Sequence, residues 1–310
     1  MFVNHEQGVV GLLDVKEGDV FIDVGANLGS VSLYAVNNIG NGVILAIEPV
    51  LHNYLCLCFN TFAYPQIRTL QCAVGDRNDF LKINISKYSG WSSFKNLTFL
   101  NNHGNRNREF TRQETVPVFT LDYLMKHYQL EKVDWLKIDT EGYEVETLKG
   151  GIDLIRRFRP KILLEVHATE DGDSIEKMFN EWDYVFFKQF DPLNKAKEEN
   201  YHILAEPVEN QNLVPLMNFE KTKLISKTWI YRKIGEGERQ INFAGNSEIE
   251  NPAPEDWEKG WQVYKVKDEM HLILTTDKVH LCHLQKNSDQ HWSGNWLYYD
   301  KTPVELIGHE

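Results

Sequence analysis

The chain has 310 residues, 42% of them hydrophobic and 25% charged, with a formal net charge of -12. That length holds one large core or two domains, and the balance is ordinary for a soluble globular protein. The acidic surplus argues against non-specific binding to nucleic acid or to anionic membranes, which needs a basic surface. No apolar run approaches the length of a bilayer span, and Met1–Glu6 lacks the basic and apolar blocks of a leader, so a cytoplasmic protein without a membrane span is expected. Cys56, Cys58, Cys72 and Cys282 form no C-x-x-C pair and read as free thiols of a reducing compartment.

The first informative stretch is Val20–Ser30. Val20, Phe21, Ile22 and Val24 read as a short buried parallel strand. Gly25 to Gly29 is a sharp turn, and from Ser30 a helical pattern carries Val31, Tyr34, Ala35 and Ile39 until Gly40 ends it. Strand, glycine turn and helix build a nucleotide site at the carboxyl ends of an open α/β sheet. The dinucleotide fingerprint G-x-G-x-x-G fails, because Asn27 and Ser30 stand where its second and third glycines belong. What remains suits a ligand without a pyrophosphate, whose amino-acid end and ribose cross the turn. A second apolar run, Val43–Ile47, ends in Glu48–Pro49, and an acid there is placed to accept both hydroxyls of a ribose.

Between Val50 and Phe62 a helix sets Tyr54, Leu55, Cys58 and Phe59 on one face. Ile67 to Val74 reads as a third strand, and Leu81 to Ile85 alternates as a half-exposed strand or hairpin arm. From Ser86 to Thr115 asparagines crowd a stretch without clear periodicity, around the pair Ser92–Ser93; a functional lid and a disordered loop are the two readings. Thr120 can cap a helix bearing Leu121, Leu124, Met125 and Tyr128. A strand then ends at Asp139, and Val145, Leu148, Ile152, Ile155 and Phe158 predict one amphipathic helix stopped by Pro160. Lys161 to Val166 is a further strand running into His167. A helix capped near Asp173 or Ser174 follows, and Tyr184–Phe190 with Tyr201–Ala205 predict a closing antiparallel hairpin.

About seven strands alternating with helices give a three-layer α/β sandwich. A break between Pro207 and Phe219 divides residues 1–210 from a β-rich accessory domain at 220–310, where alternating runs such as Leu224–Tyr231, His271–Thr275 and Val279–Leu284 are separated by turn residues. There His280, Cys282, His283 and His291 match no standard zinc spacing. Trp257, Trp261, Trp292 and Trp296 read as core of that domain, with sugar stacking as the alternative.

Three blocks resemble the FkbM family of S-adenosylmethionine-dependent methyltransferases: Phe21–Ser30, Val133–Gly151 and Arg159–His167. Ile47–Pro49, Cys72–Asp76 and Phe119–Asp122 fall between them in the family's order. The resemblance covers residues 5–207 and leaves the tail unrecognised. It implies the Rossmann-like seven-stranded class I methyltransferase sheet, with S-adenosyl-L-methionine lying over Gly25, Ala26, Asn27 and Gly29. Glu48 and Pro49 would meet the ribose, Ala73 and Val74 would flank the adenine, and Asp23 and Asn27 would frame the methionine end. Asp139 would lie near the sulfonium. The acceptor implied is a hydroxyl, most simply that of a sugar in a glycan, glycolipid or polysaccharide precursor; a natural-product O-methyltransferase and a non-catalytic scaffold are the alternatives.

Methyl transfer from a sulfonium is an in-line displacement, so the protein must align an oxygen behind the methyl and remove a proton. Asp139, Glu141, Glu144, Glu165 and His167 gather at the ends of adjacent strands. His167 or Glu165 is the base in this reading, and Asp139 orients acceptor or cofactor. Asp139, Glu165 and His167 could also hold Mg²⁺ or Mn²⁺, though no metal is expected. Asp139 is not followed by a Pro-Pro-aromatic loop and no cysteine follows a proline, which sets aside amine methylation and cytosine-C5 methylation; no P-loop is present.

Overall fold

A computed structural model describes residues 10–87, 90–95, 98–99, 106–107, 110–167, 169–190, 201–210, 214–245, 248–250, 260–266, 269–275, 280–296 and 302–309. The chain divides into two compact units. One comprises Val15–Phe186 with Ile203–Asn210, the other Met1–Asp14, Phe187–His202 and Gln211–Glu310. Among the described residues no helix is long and apolar enough to cross a membrane.

The α/β part opens with β1 (Val20–Val24), α1 (Ser30–Ile39), β2 (Val43–Ile47), α2 (Leu51–Thr61) and β3 (Ile67–Leu70). It continues through β4 (Ala73–Val74), β5 (Asp79–Ser86), β6 (Phe110–Phe119), α3 (Leu121–His127) and β7 (Trp135–Ile138). Then come α4 (Glu144–Lys149), α5 (Ile152–Phe158), β8 (Lys161–Val166), α6 (Thr169–Glu181), β9 (Tyr184–Phe190) and β10 (Tyr201–Pro207). Seven strands form one sheet in the order β9-β10-β8-β7-β1-β2-β3. Its centre is parallel, with Phe21 beside Ile44 on one flank and Trp135 on the other. Central positions such as Phe21, Ile22, Ile44, Leu136 and Ile162 are fully buried, as a sheet covered on both faces requires. After β1 the chain builds outward through β2 and β3, and from β7 it builds the other way. The carboxyl ends of β1 and β7 therefore flank the switch point, where an open α/β sheet leaves a crevice for ligand.

The structure corrects several sequence expectations. Ile67–Val74 is two strands: β4 leaves the main sheet to pair with Val118–Phe119, in a small sheet ordered β4-β6-β5. That sheet absorbs the end of the asparagine-rich stretch, since Asp79–Ser86 pairs antiparallel with Phe110–Phe119. The helix predicted through Val145–Phe158 breaks at Gly150–Gly151. A Cβ on Gly150 would lie 1.9 Å from the Gly75 carbonyl oxygen, so the chain packs backbone on backbone there and restarts. On α2, Leu55 and Phe59 face outward, while Asn53, Leu57 and Thr61 are buried, because Leu57 and Thr61 close onto Gly29.

In the other unit a helix, Val214–Ile225, occupies the predicted break and the start of the predicted strand Leu224–Tyr231. Its apolar residues do not fall on one face, so no helical period announces it. Eight strands follow in one antiparallel sheet, from Ile249–Glu250 at one edge to Gly260–Val266 at the other. Trp229, Trp261 and Trp292 are buried, and Trp261 Nε1 donates to the carbonyls of Ala244 and Glu248. Trp296 is buried as well, so Trp261, Trp292 and Trp296 serve the core; Trp257 lies outside the described residues. Cys282 is buried against the Tyr231 hydroxyl and His283 pairs with His271, an arrangement of core and sheet surface.

Candidate active site

The turn between β1 and α1 is built on left-handed backbone at Gly25 (φ +75°), Asn27 (φ +49°) and Gly29 (φ +92°). Gly25 and Ala26 donate their N–H groups to the Ile47 carbonyl, which binds the turn to the end of β2. A Cβ on Gly25 would meet the Asp139 carbonyl oxygen at 1.8 Å, so β1 and β7 close on each other at this glycine. Gly25→Ala is expected to cost more than about 3 kcal/mol through clash and strain together, seen as a lowered thermal midpoint.

Glu48 reaches back to this turn. Its Oε2 accepts from the Asn27 N–H at 3.0 Å, and its Oε1 from the Val50 N–H at 2.9 Å and from Asn53 Nδ2 at 3.4 Å. Burial pushes its pKa up to about 7, against the pull of the Val50 and Asn27 N–H groups. Pro49 continues that loop, and Val50 packs in one cluster with Ala73, Ile83, Ile85, Val116 and Val118. The structure thus brings Gly25, Ala26, Asn27, Gly29, Glu48 and Pro49 together, with Ala73 behind them. Val74 is buried, and its carbonyl accepts from the Thr147 hydroxyl.

Asp23 is fully buried; its Oδ2 accepts from Ser32 Oγ at 2.6 Å and its Oδ1 lies 3.4 Å from Lys137 Nζ. Lys137 donates to the Gly25 carbonyl at 2.9 Å and stands 3.4 Å from Asp139 Oδ2. Burial works against its charge, but Asp139, Asp23 and Glu165 outweigh it and hold the ammonium above its ordinary pKa. One cation therefore ties β1, the glycine turn and Asp139 together. No motif in the sequence singles out Lys137, although a lysine between Leu136 and Ile138 in a buried strand is itself a signal.

At the ends of β7 and β8 the second group converges on His167. Its Nδ1 lies 2.9 Å from Glu144 Oε1, which also accepts from Thr140 N, Thr140 Oγ1 and Gly142 N. Its Nε2 faces Glu165 Oε1 at 3.3 Å, Glu141 Oε2 at 3.5 Å and Asp139 Oδ1 at 3.8 Å. Burial alone would lower the His167 pKa, but Glu141, Glu165 and Glu144 hold it well above the ordinary value. Burial would likewise raise Glu144, yet His167 and the Gly142 N–H keep it below the usual range. Asp139 is raised, by burial first and by Glu165 as well, against Lys137. Glu144 is fully buried and does far more than favour a helix start: it fixes the imidazole.

The segment 90–95 reaches both halves of the site. An added Cβ on Gly90 would stand 3.6 Å from Asn27 Nδ2. The buried Ser93 donates from Oγ to the Glu141 carbonyl at 2.6 Å, and the Phe94 ring packs on Tyr143 with centroids 4.8 Å apart. Lys95 pairs with Asp171 at 3.0 Å.

Residues 23–189 match the Methyltransferase FkbM domain. Among curated proteins the chain is 26% identical over 178 residues to the hexuronic acid methyltransferase AglP of Haloferax volcanii, covering 57% of this chain and 68% of that one. It is also 26% identical over 183 residues to the AMB antimetabolite synthetase AmbE of Pseudomonas aeruginosa, covering 49% of this chain and 8% of that one. Of solved structures, an FkbM methyltransferase from Methylobacillus flagellatus KT aligns with a TM-score of 0.45 and 15% identity, over 63% of this chain and 45% of that one. The matched span, more than half of the chain, carries the glycine turn, the Lys137–Asp139 strand and the His167 cluster in one domain; the chain is a methyltransferase and belongs to the FkbM family.

Proposed function

We propose that the chain is an S-adenosylmethionine-dependent O-methyltransferase acting on a sugar hydroxyl. The observation that carries this reading is the junction at Gly25. There the glycine turn, tied to Glu48, abuts through the Asp139 backbone a half-buried cluster of carboxylates around a buried imidazole. The family membership supports methyl transfer, and the likeness to a hexuronic acid methyltransferase supports a sugar acceptor. A seven-stranded class I sheet with the cofactor at its switch point is the matching architecture.

In this reading the N–H groups of the first turn of α1 take the methionine end, with the glycine turn as the backbone it lies over, and Glu48 takes the ribose diol, with Pro49, Ala73 and Val74 toward the adenine. Asp23 acts from behind through Lys137. The cofactor supplies the activated methyl. Asp139 orients the reacting partners, and both nitrogens of His167 face carboxylates, so Glu165 receives the acceptor's proton while His167 positions it. A natural-product hydroxyl is the second reading, since AmbE is an antimetabolite synthetase.

The test is transfer of labelled methyl from S-adenosylmethionine to a panel of hexuronic acids, neutral sugars and small phenols. Label on a sugar hydroxyl is expected, and Asp139→Ala and Glu165→Gln should each lower it by about 100-fold or more while still binding S-adenosylhomocysteine. Label on phenols alone, or full activity in both variants, would overturn the assignment.

A further inference from the structure

We propose that Asp139 Oδ1, Glu141 Oε2 and His167 Nε2 form a site for one divalent cation of the Mg²⁺ or Mn²⁺ class, which would grip two neighbouring oxygens of the acceptor. The inference deepens the function proposed above and rests on it for the identity of the acceptor.

Three ligand atoms from the ends of two adjacent strands lie within 4.8 Å of one another, and among the described residues no other group of three metal-ligating side chains does so. Two of those spacings, 3.5 Å and 3.8 Å from Nε2 to Glu141 and Asp139, approach the edge of a coordination polyhedron. With metal–ligand bonds of about 2.1 Å, neighbouring ligands stand about 3.0–3.4 Å apart, so on these two edges a cation needs an inward shift of only a few tenths of an ångström. The donors are two hard oxygens and one imidazole, which suits Mg²⁺ or Mn²⁺. The second independent feature is behind the ring. Glu144, fully buried and fixed by three donors of the 140–142 loop, accepts from Nδ1 and so turns Nε2 toward the two carboxylates, where a bound cation would displace the Nε2 proton. A carboxylate behind a ligating histidine is how metal sites set tautomer and orientation.

The geometry also separates Glu165 from the ligands. It faces the same nitrogen at 3.3 Å but lies outside the converging set. A cation held by three protein atoms keeps open positions, which a hydroxyl and an adjacent hydroxyl or carboxylate of a sugar acid fill as a chelate. Coordination lowers the hydroxyl's pKa, and its proton passes to the Glu165 carboxylate. The oxygen's electron pair then forms the new O–C bond as the C–S bond breaks, its electrons returning to sulfur to leave S-adenosylhomocysteine. The chemical class selected is thus a hydroxyl with a second oxygen donor beside it, and an isolated phenol is disfavoured.

The experiment is titration of the full chain with Mn²⁺ alone, read by loss of the free-ion electron paramagnetic resonance signal, with S-adenosylhomocysteine binding measured separately. One Mn²⁺ per chain is expected, with affinity weakened about 10- to 100-fold in Glu144→Gln and at least as much in Asp139→Asn and His167→Gln. Glu209→Gln, on the exposed ion pair with Arg159, should bind Mn²⁺ as the parent does. Thermal unfolding of each variant separates lost ligands from lost fold, and the parent titration needs no variant. No Mn²⁺ uptake up to about 1 mM, or uptake unchanged in all three site variants, would overturn the site. If Mn²⁺ fails to bind while S-adenosylmethionine binds far more tightly than S-adenosylhomocysteine, the carboxylates serve the sulfonium; the metal site falls and the transferase reading stands. Mn²⁺ uptake without any S-adenosylhomocysteine binding would support the site and sink the transferase reading instead.

Discussion

Glu48→Ala is expected to weaken S-adenosylhomocysteine binding by about 100-fold or more while the protein stays folded, as titration calorimetry would show. The carboxylate can accept both ribose hydroxyls, and two hydrogen bonds to a charged group are worth about 3–6 kcal/mol before desolvation is set against them. The fold survives because two effects oppose each other. The Asn27 and Val50 N–H groups lose an acceptor, but a buried carboxylate with a pKa pushed up to about 7 is also removed. The same shift sets the pH dependence. Hydroxyl donors favour the ionised form, so affinity should rise with pH up to about 7 and level off above it. Below that point it should fall by as much as about tenfold per pH unit, and Glu48→Gln should abolish the slope. For stability the sign is reversed. The folded-state pKa lies above the unfolded value, so this group's contribution is fully present below 4.5 and is lost as pH rises through about 7. Affinity that is flat with pH in the parent would contradict the role given to Glu48.

Lys137→Met carries the other large effect. The substitution keeps the length of the side chain and removes its charge, leaving the fully buried Asp23 carboxylate without the cation 3.4 Å from it. Removing one member of a buried pair costs about 3–5 kcal/mol, which lowers the thermal midpoint of a domain this size by about 6–20 °C. The double variant Lys137→Met with Asp23→Asn should recover part of the loss, because the stranded charge goes too. Cofactor affinity should fall in the single variant as well, since the Gly25 carbonyl loses its 2.9 Å donor and the turn is no longer tied to Asp139. Additive losses in the double variant would show that Lys137 and Asp23 do not act as a pair.

Much of this was legible in the sequence where local chemistry and fold agree. The run Phe21–Gly29 reads as strand and turn because apolar branching and glycine spacing point the same way, and Glu48 follows at the distance one helix and one strand impose. The gathering of Asp139, Glu141, Glu144, Glu165 and His167 was legible too, since each ends a strand or opens the helix after it. What the residues concealed was set by long-range contacts. Ala73–Val74 is as apolar as a central strand, and only pairing with Val118–Phe119 removes it from the main sheet. Gly150 reads as a helix residue until the Gly75 carbonyl is seen to leave it no room for a Cβ. The helix Val214–Ile225 has no apolar stripe, and Ser93 acts through one hydroxyl on the Glu141 carbonyl, for which no spacing rule exists.

The most direct measurement is a crystal structure of the chain with S-adenosylhomocysteine. The ribose hydroxyls are expected at hydrogen-bond distance from Glu48, the amino-acid end over Gly25–Gly29, and the sulfur facing Asp139 and the His167 cluster. A ligand seated elsewhere, or one whose ribose leaves Glu48 bonded only to Asn27, Val50 and Asn53, would contradict that expectation.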